Sequence, residues 1–125
     1  MSSSLNNKVV LITGASSGIG KALVQDCLKR GAKVAACARN LEKMKVDFAG
    51  MQTGNLLVLR ADVSKEEDCK AFVAAAVAEW GRVDVLVNNA GISMRALFEE
   101  ADLGVIKELM DINFWGTVYC TKYAL

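Results

Sequence analysis

Apolar and polar positions fall in blocks along the chain, and the length and spacing of each block predict its structure. Lys8 to Thr13, K-V-V-L-I-T, is a β-branched apolar run that stops at Gly14. Such a run predicts a strand buried on both faces. K-V-A-A-C-A at Lys33 to Ala38, N-L-L-V-L-R at Asn55 to Arg60 and V-D-V-L-V-N at Val83 to Asn88 predict further strands. Between them the apolar positions recur with helical spacing. Gly18 to Lys29 places Ile19, Ala22, Leu23, Cys27 and Leu28 on one side, and Gly31 stops it. Leu41 to Met51 is a weaker helix with a stripe of Leu41, Met44, Lys45 and Phe48. Ser64-Lys65-Glu66-Glu67 predicts a capping box, with Ser64 accepting from the third helical amide and Glu67 reaching back. The helix behind it sets Phe72, Val73, Ala76, Val77 and Trp80 on one face and ends at Gly81. A loop over Asn89 to Glu100 leads to a last helix, roughly Asp102 to Leu125.

Strands alternating with helices predict an α/β fold: a parallel sheet with helices on both faces and right-handed crossovers. No internal repeat, linker or low-complexity segment interrupts the 125 residues, so they read as one domain or part of one.

Composition narrows the function classes. With 53% hydrophobic and 23% charged residues, disorder is excluded. Fifteen basic residues face fourteen acidic ones, without a run of one sign. Neither nucleic acid nor an anionic membrane is expected as a partner. Apolar runs such as Val9 to Ile12 are too short to span a bilayer, and M-S-S-S-L-N-N-K lacks the apolar stretch of a signal peptide. Cys27, Cys37, Cys69 and Cys120 form no C-x-x-C pair, and there is no histidine to complete a zinc site. They read as buried free thiols in a reducing cytoplasm, and no metal is expected. Proline is absent, whereas about 5% usage would give roughly six. Tight loops explain part of this; a chain that stops before its proline-bearing segments is the other explanation.

The chemistry begins at T-G-A-S-S-G-I-G, Thr13 to Gly20, which joins the first strand to the first helix. A Walker loop requires G-x-x-x-x-G-K-[ST]. Here Ile19 stands where the second glycine would be, and Gly20-Lys21 is followed by Ala22 rather than a hydroxyl for magnesium. A dinucleotide loop suits the segment better: glycines permit the turn, backbone approach to a pyrophosphate and close helix packing, while free amides at the helix start face the phosphates. The spacing is G-x-x-x-G-x-G rather than G-x-G-x-x-G, and a turn made only for tight packing is the plainer alternative.

N-N-A-G at Asn88 to Gly91 follows the fourth strand, A-D-V at Ala61 to Val63 follows the third, and Asn113 lies within D-I-N-F-W-G. Taken with T-G-A-S-S-G-I-G, these motifs resemble the short-chain dehydrogenase/reductase family over essentially the whole chain, but over about the first half of the family's usual length. Singly, each asparagine would read as a turn or helix-surface residue; jointly they would be several coincidences. The resemblance implies a Rossmann-like doubly wound sheet, incomplete, with four strands in the order 3-2-1-4 and four helices. It also implies hydride transfer between a nicotinamide cofactor and a carbonyl or alcohol. Gly14, Ser16, Ser17, Gly18, Ile19 and Gly20 would line the pyrophosphate and ribose. Asp62 and Val63 would flank the adenine, and Asn89, Ala90 and Gly91 would lie beside the nicotinamide-side ribose. Asn113 matches the asparagine of the family's Asn-Ser-Tyr-Lys set and would hold a water in the proton relay.

An NAD site wants an acid about 20 residues past the glycines, to bond the ribose 2′-hydroxyl. The region reads C-A-R-N, Cys37 to Asn40, with no acid before Glu42. Arg39 can pair bidentately with a 2′-phosphate. NADP(H) is therefore expected in preference to NAD, with Arg39 as reader and Asn40 or Ser16 assisting. The alternative is an exposed arginine flanking a helix.

Tyr119 and Lys122 are the only tyrosine–lysine candidates for proton transfer, but their spacing is not the family's Tyr-x-x-x-Lys. They also lie on a helix running away from the strand ends where ligands bind, and a structural role is expected. The catalytic serine, tyrosine and lysine are expected beyond Leu125, so residues 1–125 read as one cofactor-binding domain cut before its catalytic segment. The fourth strand should then be an open edge. The last helix, apolar on more than one side, should mediate homo-oligomerisation, as the family's often does. The substrate expected is a small carbonyl or alcohol, with the loop Ile92 to Leu97 forming one wall of its pocket. The rival reading is a non-catalytic nucleotide-binding or structural module that ends at residue 125.

Overall fold

In the computed structural model the described residues are 5–16, 18–51, 54–91 and 103–125. Strand β1 (Val9–Thr13) leads into helix α1 (Gly18–Lys29), β2 (Lys33–Ala38), α2 (Leu41–Asp47), a 3-10 turn (Ala49–Met51) and β3 (Leu56–Arg60). Helix α3 (Glu66–Trp80), β4 (Val85–Val87), α4 (Leu103–Met110), a π turn (Asp111–Trp115) and α5 (Gly116–Ala124) complete it. Met110 and Gly116, which flank the π turn, keep right-handed helical angles. Helices α4 and α5 are therefore one continuous rod. The sheet is parallel with strand order β3-β2-β1-β4.

The double winding is visible in which side chains share a core. Val9 and Leu11 of β1, with Ala35 and Cys37 of β2, pack with Cys69, Phe72, Val73 and Ala76 of α3 and with Ile112 and Cys120 of the last helix. Their neighbours Val10, Ile12, Val34, Ala36 and Ala38 pack on the opposite face with Val24 and Cys27 of α1 and Met44 and Phe48. Successive strand residues point to opposite faces, so each strand serves both layers and must be apolar throughout. All four cysteines are buried and free.

Several local expectations change. The fourth strand is Val85–Val87 rather than Val83–Asn88, because side chains close both ends of its pairing with β1. At one end the Val9 amide donates to Asp84 Oδ2 at 2.8 Å, and Arg82 Nε meets the same oxygen at 2.9 Å. At the other the Asn89 amide turns to Thr13. As expected, β4 lies at a sheet edge, with Val85 37% exposed. Helix α2 ends at Asp47, where the buried Phe48 caps it and the chain tightens into the 3-10 turn.

The capping box does not form: α3 starts at Glu66, and its N-cap, Lys65, makes no side-chain bond. Ser64 instead donates through its amide and hydroxyl to Asp62 Oδ1, at 3.0 and 2.6 Å. A carboxylate two residues upstream is a stronger acceptor than the helix amides are donors to a hydroxyl. On α1 the buried residues are Gly20, Val24 and Cys27, while Ile19 is 72% exposed. On α3 Val77 is exposed and Cys69 takes its place in the core. The start of the last helix at Asp102 and the loop Ile92 to Leu97 lie outside the described residues.

Candidate functional site

A cavity of about 360 Å³ opens at the carboxyl ends of the strands, lined by Gly14, Ser16, Ala38, Arg39, Asn40, Ala61, Asp62, Val63, Asn89, Ala90, Gly91 and Ile112. This is the edge of an open α/β sheet where ligands bind. Its walls are the turns that leave β1, β2, β3 and β4, so the fold gathers four separated sequence motifs around one space.

The β1 and β4 turns are locked together. Thr13 is a buried hydroxyl at the end of an apolar strand, 1% exposed. Its Oγ1 accepts the Asn89 amide at 3.0 Å and the Ala90 amide at 2.9 Å. Asn89 Nδ2 returns a bond to the Gly14 carbonyl at 3.2 Å. The glycines permit this closeness. A Cβ at Gly14 would stand 2.7 Å from Ala90 Cα, and one at Gly20 would stand 2.3 Å from the Gly14 carbonyl oxygen. Gly14 and Gly18 both take positive φ, +65° and +59°, but a Cβ at Gly18 would meet nothing within 4 Å. Gly20 thus serves packing, Gly14 both packing and the turn, and Gly18 the turn on an open side of the loop.

On the β3 side, Asp62 lies in the cavity wall with its amide donating to Asp68 Oδ2 at 2.9 Å. Burial alone would raise the Asp62 carboxyl, but the Ser64 hydroxyl and amide, with Arg39 nearby, outweigh it and hold the group below the usual carboxylate range. On the β2 side, the Ala15 amide donates to the Cys37 carbonyl at 3.1 Å, seating the glycine loop on the end of β2. Burial first, then the neighbouring Cys69 and Asp68, push the Cys37 thiol far above its ordinary value. Arg39 and Asn40 follow, both exposed at the rim, and Asn40 Oδ1 caps α2 by accepting the Lys43 amide at 3.1 Å.

Of the residues singled out in the sequence, Gly14, Ser16, Arg39, Asn40, Asp62, Val63, Asn89, Ala90 and Gly91 line the cavity. Gly18, Ile19 and Gly20 belong to the adjoining start of α1. Ser17 lies outside the described residues. Asn113 sits in the π turn, and a Cβ at Gly91 would stand 3.1 Å from its Oδ1. Its neighbour Ile112 reaches the cavity itself. Tyr119 and Lys122 are away from this space. Tyr119 packs against the α3 layer of the core and stacks at a tilt on Trp115 at 5.8 Å, while Lys122 lies over the Tyr123 ring. Sequence reading gave no site role to Thr13, Asp68 or Ile112, quoted Ala61 only within A-D-V and read Ser64 as a helix cap. Thr13 did leave a signal, a hydroxyl where an apolar strand meets the glycine loop.

No group of three or more metal-ligating side chains occurs among the described residues, and no helix there is long and apolar enough to cross a membrane.

A glycine loop between β1 and α1, a cavity over the strand ends and a β4 turn clamped to that loop define an α/β protein of the Rossmann type. The chain belongs to the short-chain dehydrogenase family, whose sequence model matches residues 8–125. It is 46% identical to 11-beta-hydroxysteroid dehydrogenase A of Arachis hypogaea, over 100% of this chain and 37% of that protein. It is also 46% identical to an 11-beta-hydroxysteroid dehydrogenase of Pinus massoniana, over 97% of this chain and 35% of that one. Among solved structures, a short-chain dehydrogenase/reductase (glucose/ribitol dehydrogenase) from Brucella melitensis superimposes with a TM-score of 0.94 at 28% identity. It covers 99% of this chain and 53% of its own. A 3-ketoacyl-(acyl-carrier-protein) reductase from the same organism, solved with NADH, gives a TM-score of 0.90 at 36% identity, over 95% of this chain and 49% of its own. The chain thus spans little more than a third of these curated relatives and about half of these solved structures.

Proposed function

We propose that residues 1–125 are the cofactor-binding part of an NADP(H)-dependent short-chain oxidoreductase that interconverts a small carbonyl and an alcohol. The observation that carries the cofactor choice is the rim where β2 ends. Ala38, Arg39 and Asn40 line it without an acid, and the carboxylate across the cavity, Asp62, is engaged by Ser64. A guanidinium there favours a ribose 2′-phosphate over a 2′-hydroxyl.

The groups present fit a nicotinamide dinucleotide. The glycine loop supplies backbone amides and an open side at Gly18 for the pyrophosphate, and the Asp62–Val63 turn supplies a wall for the adenine. The β4 turn, Asn89 to Gly91, supplies the nicotinamide-side wall. When bound, the cofactor supplies hydride transfer. Asn113, carried to Gly91 by the π turn, would hold a water for proton relay. The serine, tyrosine and lysine of the family's set would come from chain beyond Leu125.

Two further parts of the reading concern the rest of the molecule. Val105, Met110, Phe114, Trp115 and Val118 leave large apolar side chains exposed along the last helix, which supports homo-oligomerisation through that helix. Four buried free thiols support a cytoplasmic location.

The test is fluorescence titration of the protein with NADPH and NADH, for wild type and Arg39→Ala. NADPH should bind more tightly to wild type. The substitution should weaken NADPH by about tenfold or more and NADH by less than about twofold, as expected for one charge-assisted contact. Equal affinities in wild type, or an unchanged NADPH affinity in Arg39→Ala, would refute the cofactor assignment.

A further inference from the structure

Lys43, on the first turn of α2, does not simply extend into solvent. Its ammonium donates to the backbone carbonyl of Ser16 in the glycine loop and to Asp47 Oδ2 at 2.7 Å. Lys21, from α1, approaches the same carboxylate oxygen at 3.5 Å. The Lys43 amide is fixed by Asn40 Oδ1. Ser16, Arg39 and Asn40 all line the cavity. The Lys43 ammonium is therefore one hydrogen bond from the cavity wall, at Ser16. Two cations share the single carboxylate of Asp47, so these three groups keep one positive charge. Arg39 lies near Asp62, whose carboxylate accepts the Ser64 amide and hydroxyl and stays ionised, and Glu42 is exposed on α2.

We propose that Lys43 is a second specificity-determining cation for a phosphate on the adenosine ribose, with the Ser16 carbonyl as its partner in the free protein. The proposal deepens the NADP(H) reading and rests on it. A neutral carbonyl is a weaker partner for an ammonium than a phosphate dianion. The side chain is 43% exposed and flexible enough to exchange one for the other while staying near Asp47. Lys21, 3.5 Å from the same carboxylate oxygen, keeps Asp47 ion-paired while Lys43 exchanges the carbonyl for the phosphate. Arg39 then grips the phosphate as a planar fork and Lys43 as a point charge from the loop side.

The experiment is calorimetric titration of the protein with adenosine 2′,5′-bisphosphate and with adenosine 5′-monophosphate. Wild type, Lys43→Met, Lys43→Arg and Arg39→Ala are compared, each first checked for folding by circular dichroism. Lys43→Met should weaken the bisphosphate by about tenfold and the monophosphate by less than about twofold, and Lys43→Arg should keep most of the difference. Equal weakening of both ligands by Lys43→Met would make Lys43 only a tie for the loop and overturn the proposal. No weakening of either would overturn it as well. If wild type itself fails to prefer the bisphosphate, the NADP(H) reading falls and takes this proposal with it. If wild type prefers it, Arg39→Ala abolishes the preference and Lys43→Met does not, only the Lys43 assignment falls.

Discussion

Replacing Thr13 by valine tests whether the clamp between the β1 and β4 turns is held by its hydroxyl. The substitution keeps the β-branched shape and most of the packing volume, so cavity formation contributes little. What it removes is the acceptor of the Ala90 amide at 2.9 Å and one of two acceptors of the Asn89 amide, which meets Thr13 at 3.0 Å and the Val87 carbonyl at 3.1 Å. A neutral hydrogen bond contributes about 0.5–1.5 kcal/mol net, so losing one whole bond and one shared bond should cost about 1–2 kcal/mol. Both amides belong to half-buried residues, and partial rehydration keeps the loss from rising to the full penalty of buried orphan donors. With a urea dependence of about 1–3 kcal/mol per molar, the unfolding midpoint should fall by roughly 1 M. Amide hydrogen exchange locates the effect: Ala90 should lose protection in Thr13→Val, and Asn89, which keeps the Val87 carbonyl, should lose less. Thr13→Ser keeps the oxygen and loses one methyl group; it should retain that protection while losing about 1 kcal/mol of burial. Stability of Thr13→Val within about 0.5 kcal/mol of wild type, with both amides still protected, would refute the clamp.

Other outcomes follow from the same geometry. Gly20→Ala should destabilise by about 1–3 kcal/mol or more in denaturant unfolding, because its Cβ would press on the Gly14 carbonyl oxygen and on Asn89 Nδ2 at 2.5 Å. Gly50→Ala, where a Cβ meets nothing within 4 Å, should stay within about 0.5 kcal/mol. All four cysteines are buried, and burial raises the Cys27 and Cys37 thiols. A thiol reagent at neutral pH should therefore react slowly with the native protein and rapidly with all four once it is unfolded; a fast native phase would contradict this. Acid should also destabilise the fold. Asp84 is held below the usual carboxylate range by the Val9 amide first, against burial, and then by Arg82; Asp62 is held low as well. A carboxyl whose folded pKa is depressed binds protons less readily folded than unfolded, so its contribution is present above the unfolded value and lost as pH falls through the folded one. Stability should decline below about pH 5, and Asp84→Asn should flatten that decline; an unchanged acid limb in the variant would count against the Val9–Asp84 contact.

The layering was legible because a doubly wound sheet leaves a plain trace. A strand used by two cores must be apolar at every position, as Val9 to Ile12 and Val34 to Ala38 are. The lining of the cavity was legible because turn glycines and asparagines at strand ends occur in separated motifs that only one topology gathers. The misreadings have physical causes. On α1 the hydrophobic stripe pointed to Ile19, yet it is Gly20 that sits tight against the turns leaving β1 and β4, at Gly14 and Asn89. Contact distance there is set by a missing side chain, and hydrophobicity does not register it. Ser64 carried a capping signature, but Asp62 competes for its hydroxyl and wins. Lys43 drew no reading from the sequence, because only the fold brings Ser16 within its reach.

The position of Asn113 depends on a device that periodicity conceals. A regular helix from Leu103 to Ala124 would bond every amide to the carbonyl four residues back. At Gly116 the amide instead reaches Asp111, five back, the signature of a π turn, a form that recurs at functional sites. Ile112, Gly116 and Cys120 nevertheless remain on the buried side of the rod. Gly116 permits this: a Cβ there would stand 2.7 Å from Val63 Cγ2, so the rod rests directly on the turn that follows β3. Val63 and Ile112 both line the cavity. The wider turn is thus pinned at one wall by Gly116 on Val63 and faces the other at Gly91, where Asn113 sits. A longer side chain at either glycine would move the rod away from a wall. The two glycines and the π turn therefore act as one positioning unit that sets Asn113 against the β4 turn.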